Sequence, residues 1–157
     1  MKILIISDTH INSIRNLHPK VISEIKNSDA VIHAGDIVGE IAYREIKSIS
    51  RKLYAVRGNM DILTDELERK ITFNIYDKKI SVCHGDIYND IYNGLLYDFV
   101  DSNIIIFGHT HHPYSKIIGK QHLINPGSTS KNRWKNKKSY VILEFTFENY
   151  TVNFFEI

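Results

Sequence analysis

The chain has 157 residues, of which 43% are hydrophobic and 24% are charged, the ordinary balance of a globular protein with a substantial core. Its formal net charge of +2 is too small to indicate nucleic acid or a membrane surface as a partner. The single cysteine, Cys83, excludes an intrachain disulfide and fits a reducing cytoplasm. The apolar run near the start, residues 3–6, is too short for a secretory signal or a membrane span. We therefore expect one cytoplasmic domain over residues 1–157.

The first half of the chain alternates predicted strands with predicted helices. Three continuous apolar runs are typical of strands buried on both faces: residues 2–7, 30–33 and 53–56. Between them, helices are predicted from about Pro19 and over residues 40–50. The expected buried face of the second helix consists of Ile41, Ala42, Ile46 and Ile49. This alternation predicts an α/β fold with parallel strand pairing in its first half.

The second half of the chain changes character. A hairpin is predicted from strands at residues 71–76 and 79–83 around a turn at Asp77-Lys78. The next predicted elements are a helix over residues 90–100 and strands at 103–106, 121–124, 139–147 and 150–156. The basic stretch 131–138 is interpreted as a loop.

Polar side chains follow five of the predicted strands at the point where each strand ends. They are Asp8 and His10, Asp36, Asn59, His84, and finally His109 and His111. Ligands of open α/β sheets bind outside the carboxyl ends of the strands, so we expect these residues to share one site. On an extended chain, His109 and His111 would point the same way, about 6.6 Å apart.

The donor atoms in this set are carboxylate and amide oxygens and imidazole nitrogens. Such donors suit transition metals, with Mn²⁺ favoured and Zn²⁺, Fe²⁺ or Ni²⁺ as alternatives. Seven candidates are too many for one tetrahedral ion and fit two ions that share a carboxylate. Because a two-metal centre can activate water and clamp both oxygens of a displacement at phosphorus, the set predicts phosphoester hydrolysis.

The ordered motifs Asp8-x-His10, Gly35-Asp36, Gly58-Asn59-x-Asp61, His84-Gly85 and Gly108-His109-x-His111 resemble those of the calcineurin-like metallophosphoesterases. The spacing is similar to that of the small single-domain phosphodiesterases of bacteria and archaea. The resemblance runs from residue 1 to about 130, and the segment 125–128, Asn-Pro-Gly-Ser, is also typical of that branch.

This resemblance implies a four-layer α/β/β/α sandwich of two mixed β-sheets flanked by helices. It implies that one metal is held by Asp8, His10 and His111, and a second by Asn59, His84 and His109. Asp36 would bridge the two ions, and the Asn59 amide would also contact a substrate phosphate oxygen. The residues to which we assign catalysis are Asn59, Asp36 and His109.

One position departs from the family pattern. Many relatives carry a histidine directly after Gly-Asn, where it protonates the leaving oxygen, and this chain has Met60. Methionine cannot act as a general acid, a role that typically contributes about 10²–10⁴-fold. We expect diesters, anhydrides and good leaving groups to be favoured over alkyl monoesters. Asp61 is retained, either to orient a neighbouring group or as a turn or helix-capping residue.

Two arginines are candidates for substrate binding. Arg57 precedes Gly58-Asn59 and can offer a guanidinium to a phosphate, although an ion-paired rim arginine is an equal alternative. Arg133 lies in the basic stretch, where Trp134 offers a stacking surface, and a solvated loop is the alternative there. His33 and Cys83 are interpreted as buried residues without a catalytic role.

The sequence thus predicts a dinuclear phosphoesterase that hydrolyses phosphodiester or phosphoanhydride bonds of a small substrate by attack of a metal-bridging hydroxide. The alternative is an inactive metal-binding scaffold for protein assembly, since the retromer subunit that shares this fold has lost several ligands. The seven intact ligand positions favour the enzyme. A nuclease ranks lower because the small, weakly charged chain leaves little room for a nucleic-acid groove. A homo-oligomer stays open.

Overall fold

The computed structural model describes residues 1–61, 66–130 and 137–157. These residues form ten strands, three α-helices and one short 3-10 helix. The strands are β1 (Lys2–Ile6), β2 (Ala30–His33), β3 (Leu53–Ala55), β4 (Lys70–Ile75), β5 (Lys78–Cys83), β6 (Ile104–Ile106), β7 (Tyr114–Ile118), β8 (Gln121–Asn125), β9 (Ser139–Phe145) and β10 (Tyr150–Glu156). The α-helices are α1 (Pro19–Asn27), α2 (Glu40–Ile49) and α3 (Ile91–Asp98), and the 3-10 helix Ile14–Asn16 precedes α1.

Each sheet combines a run of three mutually parallel strands with two further strands that pair in the antiparallel direction. The first has the order β10-β9-β1-β2-β3, with β1, β2 and β3 parallel and β9 antiparallel to both of its neighbours. The second has the order β4-β5-β6-β8-β7, with β5, β6 and β8 parallel and β4 and β7 antiparallel at the edges. In each sheet the parallel strands therefore bring their carboxyl ends to one edge.

The core lies in three layers of apolar contact. One cluster fills the space between the sheets and includes Ile3 and Ile5 of β1. A second joins the outer face of the first sheet to α1 and α2, and it includes Leu4 and Ile6 of the same strand. A third joins the second sheet to α3. The continuous apolar run of β1 is explained because both of its faces are covered, and the four-layer α/β/β/α sandwich is confirmed.

The helices follow the sequence pattern with one exception. In α1, Pro19 occupies the first position, and Val21 and Ile25 are fully buried. In α2 the buried residues are Ala42, Tyr43 and Ile46. The predicted burial of Ile41 is wrong, because its side chain is 64% exposed. One residue is about 100° of helix rotation, and the stripe through Ala42 and Ile46 turns Ile41 toward solvent.

Two local features differ from the predictions. The first hairpin turns at Tyr76-Asp77, one residue earlier than expected, and Ile75 pairs with Lys78. Strand β7 is not predicted, since an edge strand with three exposed central residues lacks a clear apolar pattern. Its signal is the glycine turn at residues 119–120, after which the chain returns as β8 with Ile118 paired to Gln121.

Three hydrogen-bonded side chains, here called the polar relay, connect the two sheets at a distance from the ligand-bearing edge. His122 Nε2 lies 2.8 Å from the hydroxyl of Ser115, and His122 Nδ1 lies 2.8 Å from the hydroxyl of Tyr150 on β10. Burial lowers the pKa of His122. Because both hydroxyls can donate or accept, the relay satisfies the neutral ring in either tautomer.

The predicted burial of Cys83 is confirmed, since its side chain is 1% exposed and burial raises the pKa of its thiol to about 12. Among the residues that the structure describes, no helix is long and apolar enough to cross a lipid bilayer.

Candidate metal centre

The first group of candidate ligands comes from the strands on either side of the sandwich. Asp8 and His10 follow β1, and His111 follows β6 of the second sheet. His111 Nε2 lies 3.1 Å from Asp8 Oδ1 and 3.3 Å from His10 Nε2. One donor atom from each residue lies within 4.8 Å of the others. A single cation can therefore be reached by all three side chains.

A second group shares Asp8 with the first. It consists of Asp8, Asp36 and His84, all buried, with donor atoms again within 4.8 Å of one another. His84 Nε2 lies 3.4 Å from Asp36 Oδ2 and 3.9 Å from Asp8 Oδ1. Asp36 Oδ2 also lies 3.7 Å from His10 Nε2, which places this oxygen between the two groups. We call these five residues the ligand cluster.

Each carboxylate of the ligand cluster is fixed through one oxygen and directed inward through the other. Asp8 Oδ2 accepts hydrogen bonds from the Ser7 hydroxyl at 2.7 Å and the His109 backbone N–H at 3.1 Å. Asp36 Oδ1 accepts one from the Met60 backbone N–H at 2.8 Å. The other two oxygens, Asp8 Oδ1 and Asp36 Oδ2, are those that face the imidazoles.

Two buried atoms in this cluster have no hydrogen-bond partner among the described residues. They are Asp8 Oδ1 and His84 Nε2, whose contacts with their neighbours do not have hydrogen-bond geometry. His84 Nδ1 lies 2.8 Å from the Ala34 carbonyl oxygen, to which it donates, so Nε2 is left to face the carboxylates. Buried polar atoms without partners are costly, and a cation would satisfy both. The donor set therefore fits bound divalent metal.

Burial and charge act in opposite directions on the pKa values of the cluster. Burial lowers the pKa of His84, but the contact with Asp36 and the charges of Asp8 and Asp36 outweigh it and raise the pKa to about 9. Burial raises the pKa of Asp36, yet its contact with His84 lowers it overall. Burial lowers the pKa of His10 and of His109. In the metal-free protein, His84 carries a proton that a metal has to displace.

Five of the seven predicted ligands have left-handed backbone conformations. Their φ angles are 51° at Asp8, 46° at His10, 58° at Asp36, 64° at His109 and 57° at His111. Such residues cost on the order of 1–3 kcal/mol each and concentrate at functional sites. The extended geometry expected for His109 and His111 is therefore wrong, because the chain turns sharply at both residues.

The close approach of two loops depends on Gly108. A Cβ atom at this position would lie 1.9 Å from Ser7 Oγ and 2.8 Å from Asp8 Oδ2. No side chain fits in that space. Glycine here lets the loop that carries His109 and His111 reach the loop that carries Asp8.

Asp61 joins the loops after β2 and β3. Its carboxylate accepts hydrogen bonds from the backbone N–H groups of Gly58 at 2.7 Å, Val38 at 2.7 Å and Asp36 at 3.0 Å. Asp61 therefore orients the backbone on both sides of Asp36, as the first of its predicted roles requires, and it also spans the turn that begins at Gly58. The signal was present in the Gly58-Asn59-x-Asp61 motif, although the sequence did not show which atoms the carboxylate would hold.

The Asn125–Ser128 segment supports the opposite side of the cluster. Asn125 Nδ2 donates to the Gly108 carbonyl at 2.7 Å and to the Thr110 hydroxyl at 3.1 Å. The Ser128 hydroxyl donates to the Asp8 carbonyl at 2.7 Å. The sequence motif did not reveal the role of this segment, which is to hold the backbone of two ligand-bearing loops.

The remaining predicted site residues lie beside the cluster or outside the described chain. Among the described residues, His109 belongs to neither group, and its ring meets that of His84 edge-on at 5.2 Å. Asn59 is exposed and lies between Gly58 and Met60, which both approach Asp36. Arg57 is half-buried and its backbone N–H donates to the Glu68 carbonyl. Arg133 lies outside the described residues.

Comparison with known proteins agrees with this architecture. The sequence profile of the calcineurin-like phosphoesterase superfamily domain matches residues 1–148. A probable metallophosphoesterase of Methanocaldococcus jannaschii is 37% identical over 138 residues, which cover 85% of this chain and 70% of the relative. A phosphodiesterase of the same archaeon is 29% identical over 141 residues, covering 81% and 83%. A Vps29 double mutant from Entamoeba histolytica has a TM-score of 0.86 at 22% identity, covering 100% of this chain and 93% of that one.

The fold and the cluster define an α/β/β/α sandwich with a metal-binding edge. Within that class, the chain belongs to the calcineurin-like phosphoesterase superfamily. The likeness to Vps29 concerns the fold alone.

We predict that His84 makes the stability of the metal-free protein dependent on pH. Its folded pKa of about 9 is above the ordinary 6.5, so the protonated ring stabilises the fold fully below pH 6.5 and this contribution is lost as pH rises through 9. Urea unfolding in a chelator at pH 6 and pH 9.5 measures the change. His84→Gln should flatten the dependence, and exposed His112→Gln should not. Equal pH profiles for wild type and His84→Gln would contradict the assignment.

Asp61→Asn tests the support of the Asp36 loop. An amide leaves only one oxygen for three backbone donors, so we expect divalent-metal affinity to fall about 10–100-fold. Titration calorimetry measures the affinity, and circular dichroism checks the fold. Asp77→Asn, on a distant exposed turn, is the control and should bind as wild type. Unchanged affinity in folded Asp61→Asn would remove this role.

Proposed function

We propose that the protein is a dinuclear metal-dependent phosphoesterase that hydrolyses phosphodiester bonds. The observation that carries this proposal is the pair of overlapping donor groups, Asp8/His10/His111 and Asp8/Asp36/His84, at one edge of the sandwich. Their overlap suits two neighbouring ions. A phosphodiesterase among the relatives supports the same reaction class.

We assign the metal ligands from the ligand cluster of the structure and from the family pattern together. Asp8, His10 and His111 would hold one ion, Asp36 would bridge, and Asn59, His84 and His109 would hold the second. The location of Asp36 Oδ2 between His10 and His84 supports the bridging role. Mn²⁺ is our first choice, because mixed carboxylate and imidazole donors suit it, with Zn²⁺, Fe²⁺ or Ni²⁺ as alternatives.

When bound, the two ions would lower the pKa of a water between them and offset the charge of the phosphoryl group. The chain's own residues do the rest. Asp36 holds the two halves of the centre together, Asn59 donates its amide N–H to a phosphate oxygen, and His109 adds a nitrogen donor beside it. Arg57 and Arg133 are proposed to bind the substrate's negative charge. The enzyme would act in the cytoplasm, which its single, buried cysteine supports.

The substrate preference is proposed from Met60. Its backbone N–H donates a hydrogen bond to Asp36, and its side chain is 52% exposed. A thioether therefore stands at the position where the family pattern often has an imidazole. A thioether cannot protonate a leaving oxygen. Diesters and anhydrides with stable leaving groups are therefore favoured over alkyl monoesters.

The alternative function is a catalytically inactive metal-binding scaffold. The fold likeness to Vps29 keeps this alternative relevant. The presence of every ligand position of the family pattern in this chain favours turnover instead.

Reconstitution of metal-free protein tests the enzyme directly. We expect Mn²⁺ to restore hydrolysis of bis(4-nitrophenyl) phosphate, and Ni²⁺, Zn²⁺ and Mg²⁺ are compared with it. A monoester and a nucleotide pyrophosphate complete the substrate set. Asp36→Asn should lower kcat/KM by about 100-fold or more, because the bridging charge is lost. Asp77→Asn is the matched control. Absence of hydrolysis with all four metals would contradict the enzyme and leave the inactive metal-binding scaffold as the function.

Met60→His tests the origin of the substrate preference. An imidazole here can protonate the leaving oxygen, so we expect monoester hydrolysis to rise by about tenfold or more relative to diester hydrolysis. The ratio of kcat/KM for an alkyl monoester, glycerol 2-phosphate, to that for bis(4-nitrophenyl) phosphate measures this effect, because the alkoxide needs a proton to leave and 4-nitrophenolate does not. Met60→Gln, of similar size but without an acid, should keep the wild-type ratio. If the ratio does not rise in Met60→His, the missing acid does not set the preference.

A further inference from the structure

Three exposed apolar side chains belong to segments that adjoin the metal centre. They are Met60, Ile87 and Tyr92, with exposed fractions of 52%, 45% and 36%. We call them the apolar rim. Single exposed apolar residues are ordinary on a protein surface, but these three belong to segments that adjoin a strongly polar site.

Met60 and Ile87 are placed by the loops that carry ligands. The Met60 backbone N–H donates a hydrogen bond to Asp36 Oδ1 at 2.8 Å. The Met60 side chain therefore starts beside the carboxylate that is proposed to bridge the two ions. Ile87 follows His84 by three residues in the loop that leads to α3. Both side chains therefore start from ligand-bearing loops, and both are exposed to solvent.

Tyr92 is placed by the first turn of α3. The Cβ position of Gly85 lies 2.6 Å from Ile91 Cδ1 and 3.9 Å from His109 Cβ, so Ile91, the residue before Tyr92, packs against Gly85, which in turn lies beside His109. The Tyr92 ring contacts Tyr114 at 4.8 Å and meets Phe107 edge-on at 6.1 Å between centroids. The ring is held in one orientation by aromatic neighbours while part of its surface stays open.

We propose that the apolar rim is a subsite for an aromatic group esterified to the substrate phosphate. A ring held by its neighbours loses little conformational freedom when another ring stacks on it, and Met60 and Ile87 offer apolar surface for the remaining contact. This subsite rests on the proposed function, since the phosphate is taken to bind at the metal centre.

The chemistry of the site agrees with an aromatic ester. Hydrolysis forms a bond between the water oxygen and phosphorus, and it breaks the bond between phosphorus and the aryl oxygen. The aryl oxygen leaves with the bonding electron pair as an aryloxide, and the protons of the water pass to solvent. Because an aryloxide is a stable anion, it leaves without the general acid that Met60 cannot supply.

Binding of inert phosphonates tests the subsite without turnover. The probes are phenylphosphonate, cyclohexylphosphonate and methylphosphonate, titrated by calorimetry into Mn²⁺-loaded protein. We expect phenylphosphonate to bind about tenfold more tightly than methylphosphonate, with cyclohexylphosphonate between them. Tyr92→Ser should remove most of the difference and leave methylphosphonate affinity unchanged, whereas Tyr92→Phe should retain it.

The control is Tyr97→Ser on the same helix, where the side chain is 88% exposed, and it should bind all three probes as wild type. Ile87→Ser provides a second rim variant that does not disturb the aromatic contacts of Tyr92, and it should weaken both ring-bearing probes. Equal affinity of phenyl- and methylphosphonate in the wild type would overturn the subsite while leaving the proposed function intact. Failure of every phosphonate to bind the metal-loaded protein, together with absent hydrolysis, would overturn both.

Discussion

Asp8 Oδ1 lies within 4 Å of three imidazole nitrogens, at 3.1 Å from His111 and 3.9 Å from both His10 and His84. It is buried and accepts no hydrogen bond from the described residues. A carboxylate oxygen in this position needs positive charge nearby, because its desolvation is otherwise uncompensated. In the metal-free protein the proton on His84 supplies part of that charge. Divalent ions would replace it and use the lone pairs that the protein leaves unshared.

The loops at this edge of the sandwich hold the donor atoms of the ligand cluster together. Five candidate ligands adopt left-handed backbone conformations, which are unfavourable for residues that carry a side chain. Hydrogen bonds from outside the cluster hold the loops in place. Asp61 fixes the backbone around Asp36, and Asn125 and Ser128 fix the backbone beside His109 and Asp8. The site is therefore preorganised by residues that are not candidate metal ligands themselves.

Family membership leaves the substrate undetermined, since the same fold hosts proteins of different function. In this chain the distinguishing features surround the metal centre. Met60, whose backbone N–H donates to Asp36, carries an exposed thioether, and exposed Ile87 and Tyr92 follow His84 in the chain, where we propose an apolar subsite. A polar centre bordered by apolar surface suits a substrate that is anionic at one end and apolar at the other.

The sequence by itself determined the fold class and the identity of the cluster. Continuous apolar runs such as that of β1 require cover on both faces, and polar residues at the ends of parallel strands must meet at one edge. Features at the surface were harder to predict from the sequence. The central residues of β7 are exposed, so this strand has no clear apolar pattern, and Ile41 lies just beyond the apolar stripe of its helix. Only the tertiary structure decided the turned backbone of His109 and His111, the three donors of Asp61 and the packing of Tyr92. These features depend on contacts between loops far apart in the chain, and local residue patterns carry no information about such contacts.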